Sequence, residues 1–439
     1  MIPNDESGSP APIKRSTSIT DETAESWVIE TEAGARLMAA IKAAGRVGPA
    51  VVNRLRSLAP PEMVRAALRL NEARRKGARK FEFSARMWLD SVGVEQATNE
   101  VVARHKAARF AGRLVVDLCA GVGGDAIAIA RVGTVIAVDR DRLMCRRLRH
   151  NAAVSGVVAR LLVVRASAET FPIPDGAWVH LDPDRRAGAK GRARSFADYT
   201  PGPGVCQAIF ALAPGGLLKL GPASDFAEHF SSDAFEIELV SLNGECKEAI
   251  VWFGAAVSCR RRATRLPEGA TWTDRDASGG AYPAVSELQS FVHDPDPALS
   301  RSGLLDGFAV AHGLERLDES ADYLTSGAAA ETPFLTSFAV VDHAPLDMKH
   351  VRMMLGRHDS MAREIKVRGV DVTPEDLRIR LRGTGSRPGT LIVGLVGGRA
   401  RAMLVQRAST AGSASSSEAG ASAVRGSIAE ESAKLGLSS

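Results

Sequence analysis

The chain of 439 residues is poor in cysteine, with five, at positions 119, 145, 206, 246 and 259. The number is odd and no two stand as C-x-x-C. That argues against a disulfide framework and against a zinc site, and fits a reducing compartment such as the cytoplasm. The opening segment, MIPNDESGSPAPIKRSTSITDETAES, lacks an apolar stretch and does not read as a signal peptide. No uninterrupted apolar run approaches the length of a membrane span, and no internal repeat is visible. Neither sign of charge dominates: 56 basic residues face 51 acidic ones, for a net charge of +5. Such a mild basic balance is weak ground for naming an anionic partner.

What is present has a clear order along the chain. Residues 1–26 are rich in Ser, Thr, Pro and acids and are expected to be disordered, as is the low-complexity tail at 408–439. Residues 27–108 place apolar side chains at three- and four-residue spacing, as in ARLMAAIKAAG and EMVRAALRLNEARRKGA, which predicts a small helical domain. From residue 109 to 262 strands and helices alternate. RLVVDL, TVIAVD, RLLVVRA, AWVHLD and LLKL read as strands, with helices between them; Asp125 reads as the opener of the first. This is a doubly wound α/β pattern. FEIELVSLNGECKEAIVWFG then reads as two strands joined at an Asn243-Gly244 turn. Residues 263–334 read as a connecting region, and 335–407 as an α+β unit.

The informative stretch is VVDLCAGVGGDAIAIA, residues 115–130: strand, glycine loop, helix. Gly121-Val122-Gly123-Gly124-Asp125-Ala126 also fits the G-x-G-x-x-A fingerprint of dinucleotide sites. On the loop alone, a nicotinamide enzyme and a methyltransferase both stay open. Asp117, four residues before Gly121, favours the second. S-adenosylmethionine carries an ammonium and a carboxylate and no pyrophosphate. A strand-end carboxylate can serve the ammonium, while loop N–H groups and the helix N-terminus suit the carboxylate. Asp139, closing the second strand, can accept from both ribose hydroxyls in either class. The fourth strand ends HLDPDRR, residues 180–186. A carboxylate at Asp182 and the carbonyl after it can accept the N–H protons of a base amine and turn its lone pair toward a sulfonium methyl. Transfer is then an in-line displacement driven by positioning, without a metal.

Residues 96–130, QATNEVVARHKAARFAGRLVVDLCAGVGGDAIAIA, resemble the start of the catalytic domain in the trimethylguanosine (cap) synthase group of RNA methyltransferases. From about 70 to 407 the chain resembles bacterial class I methyltransferases with a C-terminal THUMP-like domain. The matching stretches are EQATNEVVARHKA, DLCAGVGGDA, VDRD, HLDPDRR, LKLGP, NGECKEAIVWFG, DPDPAL and REIKVRGVDVTPEDLRIRLRG. The resemblance implies a Rossmann-like doubly wound sheet with an antiparallel last strand, preceded by the helical domain and followed by the α+β THUMP-like domain. It implies S-adenosyl-L-methionine as cofactor, with contacts at Asp117, Ala120, Gly121, Gly123 and Asp139. Thr98 and Glu100 match an upstream element lying over the cofactor, and Asp182 and Pro183 match the transfer site. Two departures stand out. Ser167 occupies a place where many relatives have an Asp against the adenine amine, and DPDRR lacks the aromatic that would stack on a target base. The guanidinium plane of Arg185 or Arg186 can stack instead.

Three basic segments bear on partners: RRKGARK (74–80), RRAGAKGRAR (185–194) and RIRLRGTGSR (378–387). The second follows the transfer motif directly, so Arg185, Arg186, Lys190 and Arg192 are read as phosphate contacts, and in the third Arg378 and Arg382. Arg260 to Arg262 is either a further contact or a surface turn. Cys246, His180, Trp252 and Phe253 are read as structural. The expected activity is methylation of a base amine in RNA (tRNA or rRNA). A small-molecule or protein amine methyltransferase, or a cofactor-retaining RNA-binding module with weak catalysis, are the alternatives.

Overall fold

Periodic apolar residues build helices ahead of the first strand, as the sequence predicts. In the computed structural model, which describes residues 21–185, 195–277 and 282–408, the chain divides into two units. One comprises Met1–Lys190, Ala197–Leu218 and Gly254–Ala256; the other, Gly191–Phe196, Lys219–Phe253 and Val257–Ser439. Among the described residues, no helix is long and apolar enough to cross a membrane.

The first unit opens with α1 (Asp21–Glu30), α2 (Glu32–Ala44), α3 (Pro49–Arg56), α4 (Pro61–Gly77), α5 (Ser91–Gln96) and α6 (Glu100–Ala107). Helix α1 starts inside the stretch expected to be disordered, because Ala24 and Val28 bury against Leu37, Ile41, Met63, Leu70 and Trp88. Thr31, Asp90 and Asn99 accept backbone N–H bonds at the starts of α2, α5 and α6, as good N-terminal caps do. Next come β1 (Leu114–Leu118), α7 (Gly124–Ala130), β2 (Thr134–Asp139), α8 (Arg142–Val154), β3 (Leu161–Arg165) and β4 (Trp178–Leu181). A short ribbon pairs β5 (Asp184–Arg185) with β6 (Tyr199–Thr200), and α9 (Pro203–Leu212) leads to β7 (Gly215–Leu220). The strands are parallel, in the order β3-β2-β1-β4-β7. Val116, Leu118, Ala137, Val138, Val179, Leu181 and Leu217 are buried, the near-continuous apolar texture of strands covered on both faces. The chain leaves β1 toward β2 on one side and reaches β4 on the other. Ligands of open α/β sheets bind at the carboxyl ends of such a switch point.

The second unit contains α10 (Phe226–His229), β8 (Phe235–Leu242), β9 (Glu245–Gly254), β10 (Arg261–Leu266) and β11 (Ala270–Thr273). Strands β8 and β9 form the expected antiparallel hairpin, with Asn243 and Gly244 at φ 53° and 77°, the conformation that favours Asn-Gly. Trp252 and Phe253 are buried as expected; the indole donates to Glu238 at 2.8 Å. Arg260 to Arg262 is not a surface turn after the last strand. Arg261 opens β10, parallel to β8, and Arg262 pairs with the fully buried Glu236 at 2.8 Å.

The rest forms β12 (Phe291–Pro295), α11 (Pro297–Ser302), α12 (Leu305–Ala311), β13 (Glu315–Asp318), β14 (Ala321–Ser326), β15 (Leu335–Pro345), α13 (Met348–Arg357), β16 (Ser360–Val367), α14 (Pro374–Arg380), β17 (Arg387–Val396) and β18 (Arg399–Arg407). The sheet order is β13-β14-β12-β15-β18-β17-β16. Residues 291–326, expected as part of a connecting region, thus pair into the same sheet as 335–407. Strand β16 is an edge strand, half exposed, and its alternation breaks at a register shift between Ala362 and Glu364. Val351, Met354 and Leu355 of α13 and Leu377 of α14 pack on Leu391, Val393, Ala402 and Leu404.

Candidate functional site

A strand that ends in a carboxylate and turns at once needs a residue tolerant of positive φ. Cys119 (φ 65°), Gly121 (φ 54°) and Gly123 (φ 94°) carry the chain from β1 into α7. The Gly121 N–H donates to Asp139 Oδ2 at 2.9 Å, and the Asp141 N–H to Asp139 Oδ1 at 2.8 Å. Asp139 is thereby fixed at the end of β2, and the helix cap is Asp141, which accepts from Leu143 and Met144. Ala120 holds the loop through its backbone, donating to Val138 and accepting from Gly123.

These carboxyl ends border an open cleft of about 370 Å³, lined by Cys119, Asp139, Arg140, Ser167, Glu169, Asp184 and Thr200, among others. Asp139 and Ser167 therefore meet, as the sequence expected. Sequence reasoning missed Glu169, which accepts the Ser167 hydroxyl, and Asp184, which the β5–β6 ribbon holds at the cleft. The signal for Glu169 was a carboxylate two residues past the missing Asp. Burial, with Asp182 and Asp139 next, pushes the Cys119 thiol well up, so it stays protonated and packs as a small side chain.

Asp117, one residue before the end of β1, is 1% exposed and is not among the residues lining this cleft. Its Oδ1 lies 2.6 Å from His180 Nδ1, while Oδ2 is buried and has no hydrogen-bond partner among the described residues. A buried acceptor without a donor is costly. An ammonium group supplies both the donor and the charge, so the residues present fit S-adenosylmethionine. Burial pushes the Asp117 carboxyl up, and the charges of Asp125 and Asp182 add to this against the pull of His180. Asp182 is thus close enough to Asp117 for their charges to interact. It follows β4 directly, and its N–H donates to the Leu118 carbonyl at 3.2 Å. The backbone of the transfer motif is pinned to β1, with Pro183 buried next to it.

The structure does not bring Thr98 and Glu100 to the residues lining the cleft. The Thr98 hydroxyl donates to Asp125 at 2.6 Å. Glu100 accepts from the Glu82 N–H and pairs with Arg104. Asp125 is correspondingly not a helix-opening cap. Gly123 precedes α7 without a side-chain cap, and the Asp125 carboxylate turns inward to Thr98 and Lys106. Gly121 faces open space, whereas a side chain at Gly123 would strike Leu148. Only the first is therefore placed for a ligand's close approach.

Of the candidate phosphate contacts, Arg186, Lys190 and Arg192 lie outside the described residues, and Arg185 is described only as backbone in β5. Arg378 is exposed on α14 and pairs with Glu375 at 3.4 Å. Arg382 is exposed just past the helix end. Cys246 is pushed up to about 12 by burial, in keeping with a structural thiol.

The parallel order, the glycine loop and the acidic strand ends define a class I methyltransferase. Among known families, the one described as RNA cap guanine-N2 methyltransferase matches residues 112–208, and the one described as THUMP domain-like matches 335–407. An uncharacterized S-adenosylmethionine-dependent methyltransferase of Mycobacterium tuberculosis is 34% identical over 317 residues, 71% of this chain and 85% of the relative. A second strain of that species has a relative with the same figures. The chain belongs to the S-adenosylmethionine-dependent methyltransferases. A crystal structure from Porphyromonas gingivalis described as a methyltransferase has a TM-score of 0.70 at 22% identity. It covers 87% of this chain and 99% of its own. At that identity the likeness is one of fold.

Proposed function

We propose that this methyltransferase modifies an exocyclic amine of an RNA base. The observation that carries the reading is the row of carboxylates at adjacent strand ends. Asp117 is the penultimate residue of β1 and Asp139 closes β2, while Asp182 follows β4 with its backbone bonded to β1. In this reading Asp117 takes the cofactor's ammonium, Asp139 the ribose hydroxyls, and Gly121 admits the ligand to the loop backbone. Ser167, with Glu169 beside it, faces the adenine. When bound, the cofactor supplies an activated methyl group. Asp182 and the carbonyl of Pro183 accept the amine's protons and orient its lone pair, and preorganised acceptors of this kind act on the transition state.

RNA, rather than a metabolite, is supported by the THUMP-like region and by the excess of exposed arginines there. Arg363, Arg378, Arg380, Arg382 and Arg387 are all exposed on or beside β16, α14 and β17. Such contacts position a nucleic acid by its backbone and leave base choice to the transfer site. Transfer of labelled methyl to cellular RNA, and not to a metabolite extract or to protein, tests the substrate class. Mass spectrometry of nucleosides from a deletion strain then identifies the base. Label found only in protein or small molecules would remove RNA as the substrate.

A further inference from the structure

Val122 sits at the turn of the glycine loop, between Gly121 and Gly123, yet it is buried. The glycines on either side adopt φ 54° and 94°, and glycine by itself leaves a chain free to take many other orientations. The turn is fixed from outside the loop. Asn151, near the end of α8, is fully buried. Its Nδ2 donates to the Val122 carbonyl at 3.0 Å and to the Trp88 carbonyl at 3.2 Å, and its Oδ1 accepts the Trp88 N–H at 2.7 Å. Two carbonyls and one N–H around the amide decide which end is nitrogen. One side chain thus joins the loop to the backbone of the helical region that precedes β1.

The same region meets Val122 a second time. At Gly93 of α5 a Cβ would strike Val122 Cγ1, so a hydrogen in that place lets α5 lie against the loop. Residues 88–93 are in turn anchored on α8. Arg147, one turn before Asn151 and buried, pairs with Asp90 at 2.5 Å and with Glu25 at 2.7 Å. Glu25 also accepts the Trp88 indole N–H at 3.0 Å, and Asp90 caps α5 by taking the Val92 and Gly93 N–H groups. Positions 147 and 151 share one face of a helix, so α8 holds both ends of this short segment. A loop held in shape before its ligand arrives does not have to be ordered by it, and such preorganisation raises affinity without adding a contact.

We propose that residues 88–93 clamp the cofactor loop through Asn151, which ties the Val122 carbonyl to the Trp88 backbone and so fixes the Gly121 backbone that the cofactor approaches. The inference rests on the reading of the Gly121 loop as the cofactor's. Neither Asn151 nor Val122 is among the residues lining the cleft. Asn151 is therefore a positioning residue for cofactor binding, acting through Val122. The coupling is reciprocal: loosening the clamp weakens the cofactor, and the bound cofactor tightens residues 88–93.

Titration calorimetry of the full chain with S-adenosylhomocysteine tests the first half. Asn151→Ala is expected to raise Kd about tenfold, the net worth of about one buried hydrogen bond. Ile41→Ala opens a cavity in the helical core on α2 and leaves the clamp in place, so its Kd should stay at the wild-type value. Hydrogen exchange on the wild type tests the second half and needs no variant to fold. On binding S-adenosylhomocysteine, the amides of 88–93 should slow more than those of α2, because local opening of the clamp is what the ligand suppresses. An Asn151→Ala affinity equal to that of wild type or of Ile41→Ala, or equal slowing in 88–93 and α2, would overturn this inference alone. Gly121→Ala binding as tightly as wild type would overturn the reading of the loop and the inference with it.

Discussion

Lys106 Nζ lies 2.8 Å from Asp125 Oδ1, and neither side chain is more than 6% exposed. The pair ties α6, ahead of the sheet, to the first turn of α7, which follows the cofactor loop. Removing Lys106 takes a close counter-charge from a carboxylate that is itself buried. Lys106→Met is expected to cost about 3–5 kcal/mol. Lys106→Met/Asp125→Asn should recover part of that loss. Urea unfolding with an unchanged slope gives both values. A single-variant loss below about 1 kcal/mol, typical of a surface pair, would show that the lysine finds water.

The loop glycines separate packing from ligand approach. At Gly123 a Cβ would strike Leu148 Cδ1, at φ 94°. At Gly121 it would meet nothing within 4 Å, at φ 54°. Gly123→Ala is expected to destabilise the fold by more than the roughly 1–2 kcal/mol of a left-handed non-glycine residue. Gly121→Ala should cost about that strain alone and weaken cofactor binding. Thermal unfolding alongside cofactor titration distinguishes them; equal stability losses in the two variants would contradict the assignment.

Asp139 and Asp182 are expected to fail in different ways. Asp139→Ala removes the acceptor that fixes the Gly121 and Asp141 N–H groups, so cofactor affinity should fall. Asp182→Ala should leave that affinity near wild type and lower turnover about a hundredfold or more, the usual cost of losing a preorganised acceptor. Single-turnover rates at saturating cofactor check this. An Asp182→Ala enzyme with full turnover would take the D-P-D motif out of the chemistry.

Strands β1, β2, β4 and β7 were legible because each is a short apolar run covered on both faces. Asp139 and Asp182 could be placed from the sequence because strand ends fix where such side chains emerge. What could not be read was partnership across distance. Asp125 looks like a helix opener locally, yet Thr98 and Lys106, 27 and 19 residues earlier in the chain, turn it inward. Arg262 looks like part of a basic surface run, but the buried Glu236 on a neighbouring strand claims it. A short-range pattern carries no information about which buried charge waits for a counter-charge. Glu169 was missed for a related reason: it lies four residues past the end of the third strand, where the loop brings its carboxylate to the cleft.

His293 should make the seven-stranded sheet acid-sensitive. It is buried on β12 between the hydroxyls of Ser337 and Ser326, at 2.9 and 2.8 Å. Burial pushes it down to about 4, against about 6.5 when unfolded. Between those values the unfolded chain takes up a proton that the folded chain does not. Stability is therefore fully present above about pH 6.5, falls as the pH drops toward 4, and levels off below it, for a total on the order of 3 kcal/mol. Urea unfolding at about pH 7 and about pH 5 measures the slope. In His293→Gln this contribution should be absent; an unchanged slope in the variant would assign the sensitivity to other groups.

The basic residues around α14 should act on RNA without acting on the cofactor. Arg378 is exposed and only loosely paired with Glu375, and Arg382 is exposed beyond the helix end. Neither buries apolar surface that the sheet needs, since Leu377 and Leu381 make the inward contacts. Substitution is a cleaner probe than truncation near residue 345. A cut there would strip β18 from its pairing with β15 and leave that edge open. Arg378→Glu/Arg382→Glu should fold as wild type and bind S-adenosylhomocysteine unchanged. Its RNA affinity should fall, and the salt dependence should flatten by roughly 0.7 in slope per lost phosphate contact on single strands. The fall should be similar for RNAs of different sequence, because backbone contacts carry no base information. An unchanged affinity and salt slope would place the RNA elsewhere, and a loss confined to one sequence would make these arginines base readers.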